Sequence, residues 1–505
     1  MSGVRNLAAG VVCAGFYGTA VTEQLRAFLR DVPLAGVVLF GGNIGSVAEV
    51  RALTDELRSI LPQPIVAIDQ EGGRVARIRE GVEEIPSALA IAAACAGAGN
   101  DEFAREAGRQ VAFDLRRVGA NVDFAPVADL ALTRMNTVIG TRAFGDDPHR
   151  VAQLAGAFAA GLESGGVAAT FKHFPGHGST SVDSHLELPV IDDDEAALRS
   201  RDLIPFAQLL PAARAVMTAH IVARAFDGGR PATVSRRILT DLLRDELHFK
   251  GVCFTDCLQM DAIAKGIGSE RAGVEALAAG ADCVLVSHDL ELAARTIDGI
   301  ARAAENGELP LERLEEAASR VLRLRSCLQP PLPLEASAPF PGIGTRIGLG
   351  AVTVIRGKIE ADADAAAVSF ESPTTEGAQG AHDRHPALSD YADARQIRAP
   401  LDPRAEDAGR VLAEIDGRRP IVLMRRAHVY AGQKTAVERI LAAHPDALLV
   451  SLREPFDAFE FPQARDVACT YGDDAPSIAG LAAVLFEGKP AAGIFPLNGA
   501  ALARG

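Results

Sequence analysis

One stretch of the chain concentrates residues that could perform acid–base chemistry. The segment ATFKHFPGHGSTSVDSHLELP (169–189) contains one lysine, one aspartate and three histidines, namely Lys172, Asp183, His173, His177 and His185. Proline at 175 and glycine at 176 and 178 exclude a regular helix here. Long polar loops on compact domains are usually functional, so this segment is the first place to look for a site.

A metal site is the first alternative for this segment. His173 and His177 are four residues apart, as in zinc-binding helices. Because Pro175 and Gly176 lie between them, the two histidines cannot share one helix face, and the spacing loses its meaning. We therefore predict no metal.

An acid–base pair is the second alternative. Asp183 and His185 are two residues apart and lie on the same side of an extended segment. A hydrogen bond from the imidazole to the carboxylate would fix the imidazole tautomer and raise its proton affinity, as a general acid/base requires. The competing interpretation is an Asp–His hydrogen bond that only stabilises the loop.

The segment GVCFTDCLQMDAI (251–263) supplies a candidate nucleophile. The carboxylate of Asp256 could attack an anomeric carbon and form a covalent glycosyl intermediate. The competing interpretation is an N-cap for the helical pattern at 258–263, because aspartate is a favoured capping residue.

Further polar residues lie in two other loops. The segment DQEGGRVARI (69–78) carries Asp69 and Arg77 around a Gly-Gly turn, and IGTRAFGDDPHR (139–150) carries Arg142. Loop arginines are usually solvated, but a guanidinium is also the group that holds hydroxyl oxygens or carboxylates in a fixed geometry.

The elements that must position these residues follow a regular rhythm. Apolar runs alternate with amphipathic stretches at 8–16, 34–40, 64–69, 120–127, 166–171, 214–222, 251–256 and 281–288. Near-continuous apolar strands between helices are typical of a parallel sheet buried on both faces. Eight such units favour an α/β fold with a (β/α)8 TIM-like barrel, and a doubly wound open sheet is the alternative.

The barrel interpretation gives the polar residues a common location. Asp69, Lys172, His173 and Asp256 each come at the end of an apolar run. In a barrel these positions are the carboxyl ends of the strands, where catalytic groups collect.

A proline-rich stretch separates this region from a second one. The segment LQPPLPLEASAPFPG (328–342) predicts a stiff, extended linker. Beyond it, apolar runs at 352–355, 419–426 and 446–452 and a helical pattern at 477–490 predict a smaller α/β domain. The predicted limits are 1–327 for the barrel, 328–345 for the linker and 346–505 for the C-terminal domain.

Composition restricts the partners and the compartment. The formal net charge of −15 argues against a nucleic-acid surface. The seven cysteines are scattered and odd in number, which indicates free thiols in a reducing compartment. No run reaches the ~20 apolar residues of a membrane span. We expect a cytoplasmic protein without nucleic-acid or membrane partners, and the oligomeric state stays open.

Six segments occur in an order that is similar to a known family. They are AIDQEGGRVARI, NVDFAPVADL, IGTRAFG, KHFPGHGSTSVDSH, AVMTAHI and GVCFTDCLQMDAI. Together they resemble the β-N-acetylglucosaminidase (β-hexosaminidase) branch of glycoside hydrolase family 3, over about residues 8–325. The KHFPGHG…DSH segment distinguishes this branch from the β-glucosidases. The segment VACTYGDDAPSIAGLAAVLFEGKPAAGIFP resembles the α/β sandwich domain that follows the barrel in the two-domain form.

The resemblance implies a role for each site residue. Asp256 would be the nucleophile, and His185 the general acid/base with Asp183 as its partner. The residues that would hold the hydroxyls of the non-reducing N-acetylglucosamine are Asp69, Arg77, Arg142, Lys172 and His173. The implied reaction retains anomeric configuration and needs no metal or other cofactor. Cys257 and Ser179 depart from the commoner residues of the family, which bears on substrate preference.

The sequence thus predicts a retaining exo-β-N-acetylglucosaminidase that acts on an amino-sugar glycoside, with peptidoglycan-derived muropeptides as the substrate. A retaining β-N-acetylglucosaminide phosphorylase is one alternative, because a neutral His185 would repel a phosphate acceptor less than a carboxylate would. A non-catalytic sugar-binding barrel protein is the other alternative.

Overall fold

The N-terminal part of the protein is a closed barrel of parallel strands. The structure is a computed structural model that describes residues 3–180, 188–362, 364–371 and 386–498 of the 505-residue chain. The barrel strands are β1 Val12–Ala14, β2 Gly36–Leu39, β3 Ile65–Ile68, β4 Val122–Asp123, β5 Ala168–Phe174, β6 Ala215–Thr218, β7 Val252–Cys257 and β8 Cys283–Val286. Each strand pairs with the next, and β8 closes the barrel against β1 with Val284 opposite Val12.

Every predicted apolar run overlaps one barrel strand, so the (β/α)8 prediction is confirmed. The strands are buried on both sides, by helices outside and by side chains that fill the interior. Phe124 and Phe254 meet edge to face in that interior, with ring centroids 5.4 Å apart. The interior is therefore a packed core, and the space for a ligand lies above it.

Helices surround the barrel in the described part of the chain. They are Gly3–Ala9, Glu23–Asp31, Val47–Ile60, Ala88–Ala98, Glu102–Arg117, Pro148–Ser164, Glu195–Ser200, Leu203–Leu209, Asp261–Ala264, Ser269–Ala279, Leu290–Glu305 and Leu311–Cys327. No helix in the described residues is both long enough and apolar enough to cross a membrane.

Glycines determine how closely two of these helices approach. A Cβ at Gly108 would lie 2.1 Å from the carbonyl oxygen of Phe158, and a Cβ at Gly161 would lie 2.3 Å from that of Arg105. The helices Glu102–Arg117 and Pro148–Ser164 therefore pack backbone to backbone at these positions. Between β6 and β7, Arg237–Glu246 is a π-helix in which Leu247 N donates to Leu242 O at 2.9 Å.

The C-terminal part is a second α/β domain. Its strands are β9 Thr353–Arg356, β10 Ala366–Glu371, β11 Arg395–Pro400, β12 Pro420–Met424, β13 Leu448–Ser451 and β14 Asp466–Cys469. They form one sheet in the order β9-β14-β13-β12-β10-β11, parallel except for β9. Its helices are Ile343–Ala351, Ala405–Ile415, Ala431–Ala443, Asp457–Glu460 and Ala475–Glu487. The predicted second α/β domain is confirmed, whereas β10, β11 and β14 were not predicted.

The two domains contact each other through the loop end of the barrel. Arg426, which follows β12, donates from Nη2 to the carbonyl oxygen of Thr137 at 3.2 Å. Ser87 donates to the carbonyl oxygen of Tyr471 at 2.6 Å. All seven cysteines lie in described residues and are free thiols, as predicted.

Candidate active site

A pocket of about 420 Å³ opens at the carboxyl ends of the barrel strands. Its lining includes every predicted site residue that the structure describes, namely Asp69, Arg77, Arg142, Lys172, His173 and Asp256. The other two predicted site residues, Asp183 and His185, lie outside the described residues, so their roles stay predictions.

A lysine held between two carboxylates forms the floor of the pocket. Lys172, near the end of β5, is only 2% exposed. Its Nζ lies 2.8 Å from Asp69 Oδ1 and 2.6 Å from Glu71 Oε1. Burial by itself would lower the pKa of Lys172, but the two carboxylates outweigh burial and raise it. The ammonium is therefore charged at neutral pH.

Two arginines complete this charged network. Arg142 binds Glu71 with both Nε and Nη2 at 2.8 Å, and Arg77 Nη2 lies 3.1 Å from Asp69 Oδ2. Although burial opposes ionisation, Arg142 and Lys172 lower the pKa of Glu71 to about 2, and Lys172 and Arg77 lower the pKa of Asp69. The network is a fixed set of donors and acceptors, as recognition of sugar hydroxyls requires.

A histidine beside the network is oriented by a buried carboxylate. Asp129 Oδ2 lies 2.6 Å from His173 Nδ1, and its Oδ1 accepts from the backbone N–H of His177 at 2.7 Å. His173 Nε2 then faces Arg142 Nη2 at 3.4 Å. Because a guanidinium only donates, Nε2 is the acceptor and Nδ1 carries the proton that is donated to Asp129. Burial and the neighbouring His173 lower the pKa of His177 to about 4, so this ring is neutral at pH 7.

The carboxylate of Asp256 stands on the opposite wall of the pocket. Asp256 lies within β7, is half-buried, and accepts a hydrogen bond from Cys257 N at Oδ1 (2.7 Å). His220 fixes the following carbonyl, because its Nε2 donates to Cys257 O at 2.9 Å. The N-cap interpretation is wrong, since the next helix is Asp261–Ala264 and its N-cap residue is Met260.

The sequence did not assign a role to two acidic residues of this site. Glu71 lies beside Asp69 in the segment 69–78, and Asp129 lies in NVDFAPVADL. Both are buried, at 8% and 1% exposure. Their residue type and position could have identified them, because an acidic residue that is buried near a strand end needs a cationic or N–H partner.

The buried carboxyl of Asp123 should make the stability of the protein depend on pH. Its Oδ1 accepts from Gln70 N at 2.9 Å, while Oδ2 has no hydrogen-bond partner among the described residues. Burial raises the pKa of this carboxyl to about 8. The unfolded chain loses this proton near pH 4. Asp123 therefore lowers stability as the pH rises from about 4 to about 8.

We expect Asp123→Asn to remove this loss. The unfolding free energy of the variant relative to the parent should increase from pH 5 to pH 8, by about 1.4 kcal/mol per pH unit at most. Denaturant unfolding at four pH values measures it. The exposed Asp241, changed to Asn, is the control, and a difference that is independent of pH in both variants would contradict the prediction.

Comparisons with known proteins agree with this geometry. The model of the glycosyl hydrolase family 3 N-terminal domain matches residues 6–324. A β-hexosaminidase of Pseudomonas aeruginosa is 41% identical over 298 residues, which cover 59% of this chain and 88% of that protein.

Solved structures give the same result. A glycoside hydrolase family 3 β-N-acetylglucosaminidase from Paenibacillus sp. is similar with a TM-score of 0.91 and 30% identity, over 98% of this chain and 99% of that chain. NagZ from Neisseria gonorrhoeae is 31% identical with a TM-score of 0.58, over 68% of this chain and 97% of that one. The protein belongs to glycoside hydrolase family 3, in its β-N-acetylglucosaminidase branch, and is a glycoside hydrolase.

Proposed function

We propose that the protein is a retaining exo-β-N-acetylglucosaminidase that releases terminal β-linked N-acetylglucosamine. One observation carries the proposal: the carboxylate of Asp256 shares a pocket with a buried network of ion pairs whose groups are able to bind hydroxyls. The names of the Pseudomonas and Paenibacillus relatives support this choice of sugar.

The proposed reaction has two displacements. Asp256 attacks the anomeric carbon while His185 protonates the glycosidic oxygen, so the aglycone leaves as an alcohol and the sugar stays on Asp256. Neutral His185 then removes a proton from water, which attacks the same carbon and frees the carboxylate. Two inversions return the β-anomer.

The charged network would hold the sugar during both steps. Lys172 and Arg142 present N–H donors, and Asp69 presents carboxylate oxygens to hydroxyl groups. Because Lys172 and Glu71 are almost fully buried, these groups line the pocket floor and would meet the terminal sugar of a chain. This arrangement supports an exo-acting enzyme.

We further propose that peptidoglycan-derived muropeptides are the natural substrates and that the protein works in the cytoplasm. Both proposals rest on the family branch. They are tested by mass spectrometry of digests of a muropeptide that carries terminal N-acetylglucosamine, with chitobiose as the comparison substrate, and by fractionation of the native cells. Faster cleavage of chitobiose would contradict the substrate proposal.

The reaction itself is tested with p-nitrophenyl β-N-acetylglucosaminide, with and without phosphate. We expect free sugar in both conditions, and NMR during the first minutes should show the β-anomer. Sugar 1-phosphate would support the phosphorylase alternative. An α-anomer as the first product would exclude the retaining mechanism, and binding without turnover of either substrate would support the sugar-binding alternative.

The proposed acid/base makes a separate prediction. His185→Ala should lower kcat for the p-nitrophenyl substrate by about 10²–10⁴-fold. Nitrophenolate leaves with little protonation, so the first displacement should stay fast and the second displacement should limit the rate. The first turnover should therefore release a burst of nitrophenolate. Azide, which needs no base, should restore turnover and form a β-azide. The exposed His149, changed to Ala, is the control. Neither burst nor azide rescue in His185→Ala would contradict the role.

A further inference from the structure

The backbone of the segment that carries Arg142 accepts hydrogen bonds from guanidinium groups of both domains. We call residues 136–142 the Arg142 loop. Arg74 Nη2 donates to the carbonyl oxygens of Thr137 and Val138, both at 2.6 Å. From the C-terminal domain, Arg426 Nη2 donates to the same Thr137 oxygen at 3.2 Å. Two guanidinium groups that repel each other therefore meet at the carbonyl oxygen of Thr137.

A carboxylate of the C-terminal domain lies between these cations. Glu454 follows β13 and is only 1% exposed. Its oxygens lie 3.1 and 3.3 Å from Arg426 and 3.8 Å from Arg74 Nη1. Burial opposes its ionisation, but Arg426 and Arg74 lower the pKa of Glu454 to about 2, so it is charged at neutral pH.

Glu454 also touches the backbone of the Arg142 loop. Gly140 has a φ of +44°, and a Cβ there would lie 2.5 Å from Glu454 Oε1. Arg142 is two residues further on, and its Nη1 donates to the carbonyl oxygen of Val138 at 3.2 Å. Glu454 therefore lies directly against the turn that aims Arg142 at Glu71.

Both partners of the Arg142–Glu71 ion pair depend on this arrangement. Glu71 lies on the strand Gln70–Gly72, which pairs with Val75–Ala76 in a short hairpin. Arg74 is one of the two residues between these strands, so it ties the hairpin of Glu71 to the Arg142 loop. Without the negative charge of Glu454, Arg74 and Arg426 would be two adjacent buried cations, and one of them would have to move.

We propose that Glu454 is a positioning residue through which the C-terminal domain fixes the sugar-binding Arg142. It acts by neutralising Arg74 and Arg426 and by contacting Gly140. The inference rests on the proposed function, because its test measures KM for a sugar substrate that Arg142 is proposed to bind.

The test compares steady-state kinetics of Glu454→Gln with the parent protein. We expect KM for p-nitrophenyl β-N-acetylglucosaminide to rise about 10-fold while kcat changes less than about 3-fold. Glu454→Asp keeps the charge and should restore part of the KM. The control is Glu460→Gln, which removes another carboxylate of the domain contact, one paired with Arg134. An unchanged KM in Glu454→Gln, or an equal rise in Glu460→Gln, would overturn the proposal.

A double-mutant cycle separates positioning from general damage to the fold. If Glu454 acts through Arg142, adding Glu454→Gln to Arg142→Met should raise KM no further. Additive effects would overturn the proposal. If Glu454→Gln does not fold, Glu454→Asp tests the same contact, because the shorter side chain keeps the charge but draws the carboxylate back from Gly140. KM should then rise about 3-fold, and an unchanged KM would overturn the proposal. Arg142→Met alone with an unchanged KM would instead refute the sugar-binding role of Arg142, which belongs to the proposed function.

Discussion

Asp256→Ala is expected to lower kcat/KM for p-nitrophenyl β-N-acetylglucosaminide by about 10⁴-fold or more. The reason is that no covalent intermediate can form once the attacking carboxylate is removed. The substitution should leave the fold intact, since Asp256 is half-buried and the backbone pairing of β7 with β6 and β8 does not depend on its side chain. Initial rates measure the loss, and thermal unfolding checks the fold.

A trapping experiment identifies the attacking residue directly. A fluorinated N-acetylglucosaminyl fluoride slows the second displacement, so the labelled protein should carry one added sugar on the peptide that contains residues 251–263. The matched control is Asp261→Asn, which alters another acid of the same pocket. Asp261 pairs with Lys265 and should change kcat/KM less than about 5-fold. Label on Asp261, or near-normal rates in Asp256→Ala, would contradict the assignment.

The barrel could be predicted because its strands have a simple signature. Each is short, apolar along its whole length and buried on both sides, as in Ile65–Ile68 and Cys283–Val286. The carboxyl ends of such strands meet at one edge, so Asp69, Lys172 and Asp256 could be placed together before their distances were known.

The strands of the second domain show where this reasoning fails. The strand Arg395–Pro400 lies at the edge of its sheet and alternates exposed and buried residues. It contains two arginines and ends in a proline, so it has none of the continuous apolar character on which the prediction relied. The strand Ala366–Glu371 starts with alanines, which favour helix as readily as strand.

The partners within the site could not be predicted for a different reason. Glu71 and Asp129 were visible as acidic residues, but which cation or N–H each one meets depends on how separate loops meet in space. Glu454 is an extreme case, because it lies more than 300 residues from Gly140 and in another domain. Local sequence contains no information about such a contact.

Lys172→Met is expected to have the second largest effect on the reaction. The ammonium holds Asp69 and Glu71 at 2.8 and 2.6 Å, and methionine preserves the volume of the side chain but not its charge. Removing one partner of a buried ion pair costs about 3–5 kcal/mol of stability. We also expect kcat/KM to fall by about 10³-fold, because the sugar-binding carboxylates would separate. Lys265→Met, at an exposed ion pair, is the control.

The pH dependence of this variant distinguishes lost charge balance from lost packing. In Lys172→Met the two carboxylates still have Arg77 and Arg142, but they repel each other across the vacated position. Repulsion raises the folded-state pKa of one carboxyl above its value in the parent, so protonation relieves it as the pH falls. The parent loses the stability of its lowered carboxyl pKa values as the pH falls from about 5 towards 2, and the variant loses less, so the stability deficit should shrink over that range. A deficit that is constant over this range would show that the charge of Lys172 does not stabilise the two carboxylates, and the pocket floor would then not be an electrostatic network.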